Sequence, residues 1–171
     1  MSPDSLLYVF VSLRSLHVLL AALWIGAATA MTVFLMPAIG NLAPEVASRL
    51  ARGKFHPFMA SIAGTTVLSG IVLYWHLTNG FSAVGMGSNA GLAFGIGGVI
   101  GLAALIIGGG VVGRSAKRIA ELSAQAADAN TRGSETIAEM DKLRQRVTGA
   151  GRLVVALLVV SLILMTFGHY V

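Results

Sequence analysis

The chain contains no cysteine among its 171 residues. Disulfides, thiolate metal sites and thiol catalysis are therefore excluded. Charge is also scarce: 11% of residues are charged, against about a quarter in a soluble domain. No Asp or Glu interrupts the long apolar runs, so a carboxylate pair for acid–base chemistry is missing there, and a Ser-His-Asp arrangement would lack its acid. What the chain has instead is hydrophobic residues, at 56%, and a mean hydropathy of +0.81. These values describe an integral membrane protein. The expected fold is all-α, a single membrane domain over 1–171, with four helices as a bundle.

The apolar runs place the spans at about 6–39, 57–77, 91–113 and 153–170. Pro37 and the polar stretch Asn41 to Lys54 close the first, and Pro57 suits the first turn of the second. Leu77 to Asn89 reads as an uncharged loop, with Ser88 or Asn89 capping the third helix. The start, Met1-Ser2-Pro3-Asp4, has no basic n-region, so the first run is expected to be a span rather than a cleaved leader. Between spans three and four, Ile119, Leu122 and Ala126 recur at helical spacing, as do Ile137, Met140, Leu143 and Val147. The segment 114–149 is thus expected to form a helical hairpin, turning at Asn130–Gly133 with Ser134 as N-cap. A solvated hairpin that fixes helix register is one reading. A docking arm of an accessory subunit in a larger membrane complex is another.

The net charge is +5. Apart from Arg14, its basic residues sit in the two inter-span segments, which topology explains without nucleic acid. The positive-inside rule puts both segments in the cytoplasm and both termini outside, as in a multi-pass protein of a bacterial inner membrane. In span three, glycines recur at a spacing of four (Gly91/Gly95, Gly97/Gly101, Gly109/Gly113). Small residues there let helices approach closely, within the chain or in a homo-oligomer.

Titratable groups inside a bilayer are costly and mark functional candidates. At ~1.5 Å per residue, His17 lies about 30 Å above Pro37, His76 about 27 Å above Phe58, and His169 about 24 Å above Leu153. His17, His76 and His169 are therefore expected in one outer layer, whereas His56 lies on the opposite side. Imidazole suits heme iron and copper alike. Arg14, one turn outward of His17, has the fork geometry to meet a carboxylate such as a heme propionate. Trp24, Trp75 and Tyr74 are expected to pack or to anchor at the interface. Met31, Met36, Met59 and Met165 suit Cu(I) or simple core packing.

His17, Trp24 and Gly26, followed by Pro37, form H-x6-W-x-G with a proline at the inner end. This resembles the first helix of the copper-resistance D (CopD-like) membrane proteins and of the related HemJ-type protoporphyrinogen oxidases. The run Arg49-Leu50 to Pro57, then Gly64 and Gly70, is similar in style to their second helix, and Gly151-Arg152-Leu153 through Met165 to His169-Tyr170 resembles the last helix of small CopD-like proteins. The resemblance implies a four-helix bundle. In the HemJ branch it implies a first-helix histidine that ligates heme, a role that would fall on His17. In the CopD branch it implies copper handling.

Three expectations follow. The first is b-type heme in the outer half, with His17 and His76 as axial ligands, His169 as the substitute ligand and Arg14 as propionate partner. Such a site would serve electron transfer, with quinone or a redox protein as partner, as a heme-dependent membrane oxidoreductase. The second is copper binding or transport through the same histidines. The third is a non-catalytic accessory subunit.

Overall fold

The structure is a computed structural model that describes residues 3–40, 55–128, 134–168 and 170. α1 (Pro3–Thr29) continues through a π-helical turn, Ala30–Leu35, into a short α2 (Met36–Gly40). α3 (Phe55–Leu77) is followed by α4 (Ala83–Gly87) and α5 (Asn89–Ile107). A second π-helical turn, Gly108–Gly113, leads into α6 (Arg114–Asp128), and α7 (Ser134–Phe167) completes the chain. Four of the resulting helical rods are long and apolar enough to cross a membrane. The all-α four-helix membrane bundle is thus the observed architecture, and the chain is a multi-pass membrane protein.

The π-helical turns have local causes. Pro37 carries no backbone N–H and cannot continue the regular ladder below it. The helix widens just before it, with the Met36 N–H bonding the Met31 carbonyl five residues back. The second turn falls on Gly108-Gly109-Gly110, where missing side chains make the backbone easiest to deform.

The rods form a ring in chain order, α1 on α3, α3 on α5, α5 on α7 and α7 back on α1. Their packing is inverted relative to a soluble bundle. Small and hydroxyl residues face inward: Ala63, Thr66 and Ser69 on α3, Gly97 and Ala104 on α5, and Ser161 on α7 are buried. Large aliphatics face outward, with Leu19 68%, Leu68 66%, Val99 69% and Ile163 48% exposed in mid-helix. In lipid this is the sensible order, because close backbone contact drives association when hydrophobic exclusion cannot. The most extensive seam joins α5 and α7. There the Ser161 hydroxyl donates to the Gly97 carbonyl at 2.8 Å, and a Cβ on Gly97 would sit 3.1 Å from Met165 and 3.3 Å from the Ser161 carbonyl. Trp24 joins Ile62, Ala63, Ala104, Val154 and Leu158 in the apolar core.

The Leu77–Asn89 connection is more ordered than its composition suggests, because it contains α4. Thr78 is fully buried; its carbonyl accepts from both the Ser82 N–H and the Ser82 hydroxyl. Ser82 then caps α4 and Ser88 caps α5, each hydroxyl accepting from the N–H three residues on. Asn79, Gly80 and Phe81 take successive left-handed conformations, which is unusual for a phenylalanine. The hairpin expected after span three is present as α6 packed on the first half of α7. Arg118 pairs with Glu139 across it at 3.1 Å, over buried Leu122 and Val147. Ile137, expected on the packed face, is 45% exposed. The turn expected at Asn130–Gly133 and the segment Asn41 to Lys54 lie outside the described residues.

A size test separates packed from open glycines on α5. Gly97→Leu should lower the thermal unfolding midpoint in detergent, at a cost of about 1–3 kcal/mol from overpacking. Gly98→Leu, where a Cβ meets nothing within 4 Å, should leave the midpoint unchanged.

Candidate functional site

In an apolar helix the histidine side chain must find its partner on a neighbour. His17 does so on α3. Its Nδ1 lies 2.9 Å from the Thr66 carbonyl and 3.1 Å from the Ser69 hydroxyl. A carbonyl can only accept, so Nδ1 carries the proton. The Ser69 hydroxyl uses its own proton on the Thr65 and Thr66 carbonyls, at 2.8 and 3.0 Å, and presents a lone pair to His17. In the neutral ring Nε2 is then the bare nitrogen, and it has no hydrogen-bond partner among the described residues.

Gly70 makes room for this ring. A Cβ there would lie 2.9 Å from His17 Cε1, so any larger residue would push the imidazole away. Thr66, Ser69 and Gly70 share one face of α3 at i, i+3 and i+4 and form a shallow polar cradle. On α1 the less exposed positions from Leu6 to Ala21 are Phe10, Leu13, His17, Leu20 and Ala21, a single helical stripe leading to buried Trp24. Arg14 lies on an exposed position one turn outward of His17.

His76 belongs to the same seam but to a different level. Its ring stacks on Phe10 with centroids 3.5 Å apart and planes 14° from parallel. Phe10 is seven residues outward of His17, and His76 six beyond Gly70, so the two imidazoles are separated by about 9–10 Å along the helices. Two imidazoles sharing one metal need nitrogens about 4 Å apart at ordinary ~2 Å bond lengths. The structure brings both histidines to one interface, not to one point.

The single-layer expectation for these two residues is corrected by the register. Depths counted from Pro37 and Phe58 assume that those residues are level. In the observed pairing of α1 with α3, Pro37 instead runs on about nine residues, or 13 Å, past the level of Phe58. His169 lies outside the described residues, as does the side chain of His56. Among the described residues, no group of three or more His, Asp or Glu could hold a metal ion.

No family profile, curated protein or solved structure matches this chain. The site is therefore read from its own chemistry. Its contents are one oriented imidazole with an open nitrogen, a polar cradle beneath it, and a cation one turn outward.

The cradle was visible in part. Ser69 is one of the weakly polar positions of span two and Gly70 enters through the likeness of the second helix, whereas Thr66 is the cradle residue that the sequence reading misses. Their signal is a hydroxyl, a hydroxyl and a glycine at i, i+3 and i+4 in an otherwise apolar helix.

Packing of ring against glycine gives a coupled prediction. Gly70→Val should destabilise the protein by about 1–3 kcal/mol. In the His17→Ala/Gly70→Val double variant the loss should be smaller than the sum of the single losses, because the added methyls fill the vacated space. Thermal unfolding of the four proteins in one detergent measures the cycle.

Proposed function

We propose that the bundle binds heme b in its outer half, with His17 as an axial ligand and a role in one-electron chemistry at the membrane. The observation that carries this reading is the state of the imidazole. A ligating histidine commonly donates its second N–H to a carbonyl, which fixes the tautomer and aims the other nitrogen. His17 has that arrangement toward Thr66, with Nε2 left over.

The residues at hand fit such a group in three respects. Gly70 leaves the ring its space, and the Thr66–Ser69 cradle orients it. Arg14, exposed one turn outward, has the guanidinium geometry that carboxylates such as propionates favour. When bound, heme would supply electron transfer, or ligand chemistry if one axial position stays exchangeable. The chain's own part is to hold the imidazole in register, to present Nε2 and to keep the surroundings apolar. His76, engaged with Phe10, is not part of this ligand set.

Hemin titration of purified protein in detergent tests the reading. Wild type and His76→Ala should each develop a Soret band at about one heme per chain, and His17→Ala should not. Absence of a saturable Soret band in wild type, or its full retention in His17→Ala, overturns the proposal.

A further inference from the structure

The two helices that leave the bundle carry their charges in a graded order. Beyond Arg152, which lies deeper on α7, Arg114 and Lys117 on α6 and Lys142 and Arg146 on α7 are all exposed. None of these four forms a salt bridge among the described residues. Acidic residues appear only farther out, at Glu121 and Asp128 on α6 and at Asp141, Glu139 and Glu135 on α7. Three of those are already engaged, Glu121 with Arg118 at 3.9 Å, Glu139 with Arg118 at 3.1 Å and Asp141 with Arg144 at 3.2 Å.

Helical rise gives these cations a depth. Counting ~1.5 Å per residue from Phe167, Arg146 lies about 31 Å and Lys142 about 37 Å along α7. Counting from Asn89, Arg114 lies about 37 Å and Lys117 about 42 Å along the α5–α6 rod. The hydrocarbon core is about 30 Å thick, and headgroups extend several ångströms beyond it. The four cations therefore stand in or just outside one headgroup layer. Their spacing also matters. Arg114/Lys117 are i,i+3 and Lys142/Arg146 are i,i+4, so each pair repels itself unless an anion lies between.

We propose that this collar binds anionic phospholipid headgroups of the leaflet that it faces. The bilayer supplies counter-charge for these cations, because the nearby Glu121, Glu139 and Asp141 are engaged with Arg118 and Arg144. Phosphate and carboxylate headgroups suit the collar, because clustered juxtamembrane Lys and Arg attract anionic lipid within a Debye length. The bound layer would also set how far the hairpin stands from the membrane. This inference is independent of heme.

The test uses the full chain reconstituted in phosphatidylcholine:phosphatidylglycerol vesicles with spin-labelled lipids of each type. Motionally restricted signal in electron paramagnetic resonance reports the lipids in contact with the protein. Wild type should select labelled phosphatidylglycerol over labelled phosphatidylcholine by about threefold or more at low salt, and the preference should fall in high salt. The R114Q/K117Q/K142Q/R146Q variant should select neither lipid, while E121Q/E135Q should keep the wild-type preference. No preference in wild type, or an undiminished one in the four-site variant, overturns the proposal. Salt dependence in wild type keeps the test decisive even if the four-site variant does not fold.

Discussion

The hydrogen bond from His17 Nδ1 to the Thr66 carbonyl is the contact on which the rest of the site depends. In water it would add little, since solvent offers the same partners. Between two helices in lipid the alternative is an unmet polar group, which is costly, so the bond fixes where α1 can sit along α3. That register has three consequences. It sets the ring over Gly70, stacks Phe10 on His76 further out, and carries Trp24 into the core with Ile62 and Ala63.

The same logic runs through the bundle. Three of the four seams have a polar link between rods: His17 to Thr66, the Tyr74 hydroxyl donating to the Gly91 carbonyl at 3.1 Å, and Ser161 to Gly97. Where backbones must come close a glycine faces the link, as Gly70, Gly95 and Gly97 do. At the opposite end of the bundle Gly151 of α7 meets Thr32 in the π-helical turn before Pro37. The large aliphatics are left to the lipid, and so the outer faces say little about which helix neighbours which.

Much of this fold could be read from the residues. Span limits came from hydropathy alone, because a run of twenty apolar residues has few other uses in a chain of this composition. Ser88 was legible as a cap, and the hairpin came from Leu122 and Val147 at helical spacing. Register between helices was not legible. It depends on which glycine meets which ring, and periodicity within one helix carries no information about its neighbour. Hence His17 and His76 were placed level although about two helical turns separate them. The short helix at Ala83–Gly87 was missed because Gly85 and Gly87 are poor helix formers; it exists through the caps of Ser82 and the buried Thr78.

The central claim is that His17 is held through Nδ1 and offers Nε2 to a ligand. Nitrogen-15 NMR of histidine-labelled protein without added heme, with His17→Gln used for assignment, tests it most directly. A neutral His17 ring protonated at Nδ1 and bare at Nε2 is the expected result. A ring protonated at Nε2, with Nδ1 bare, would contradict the account.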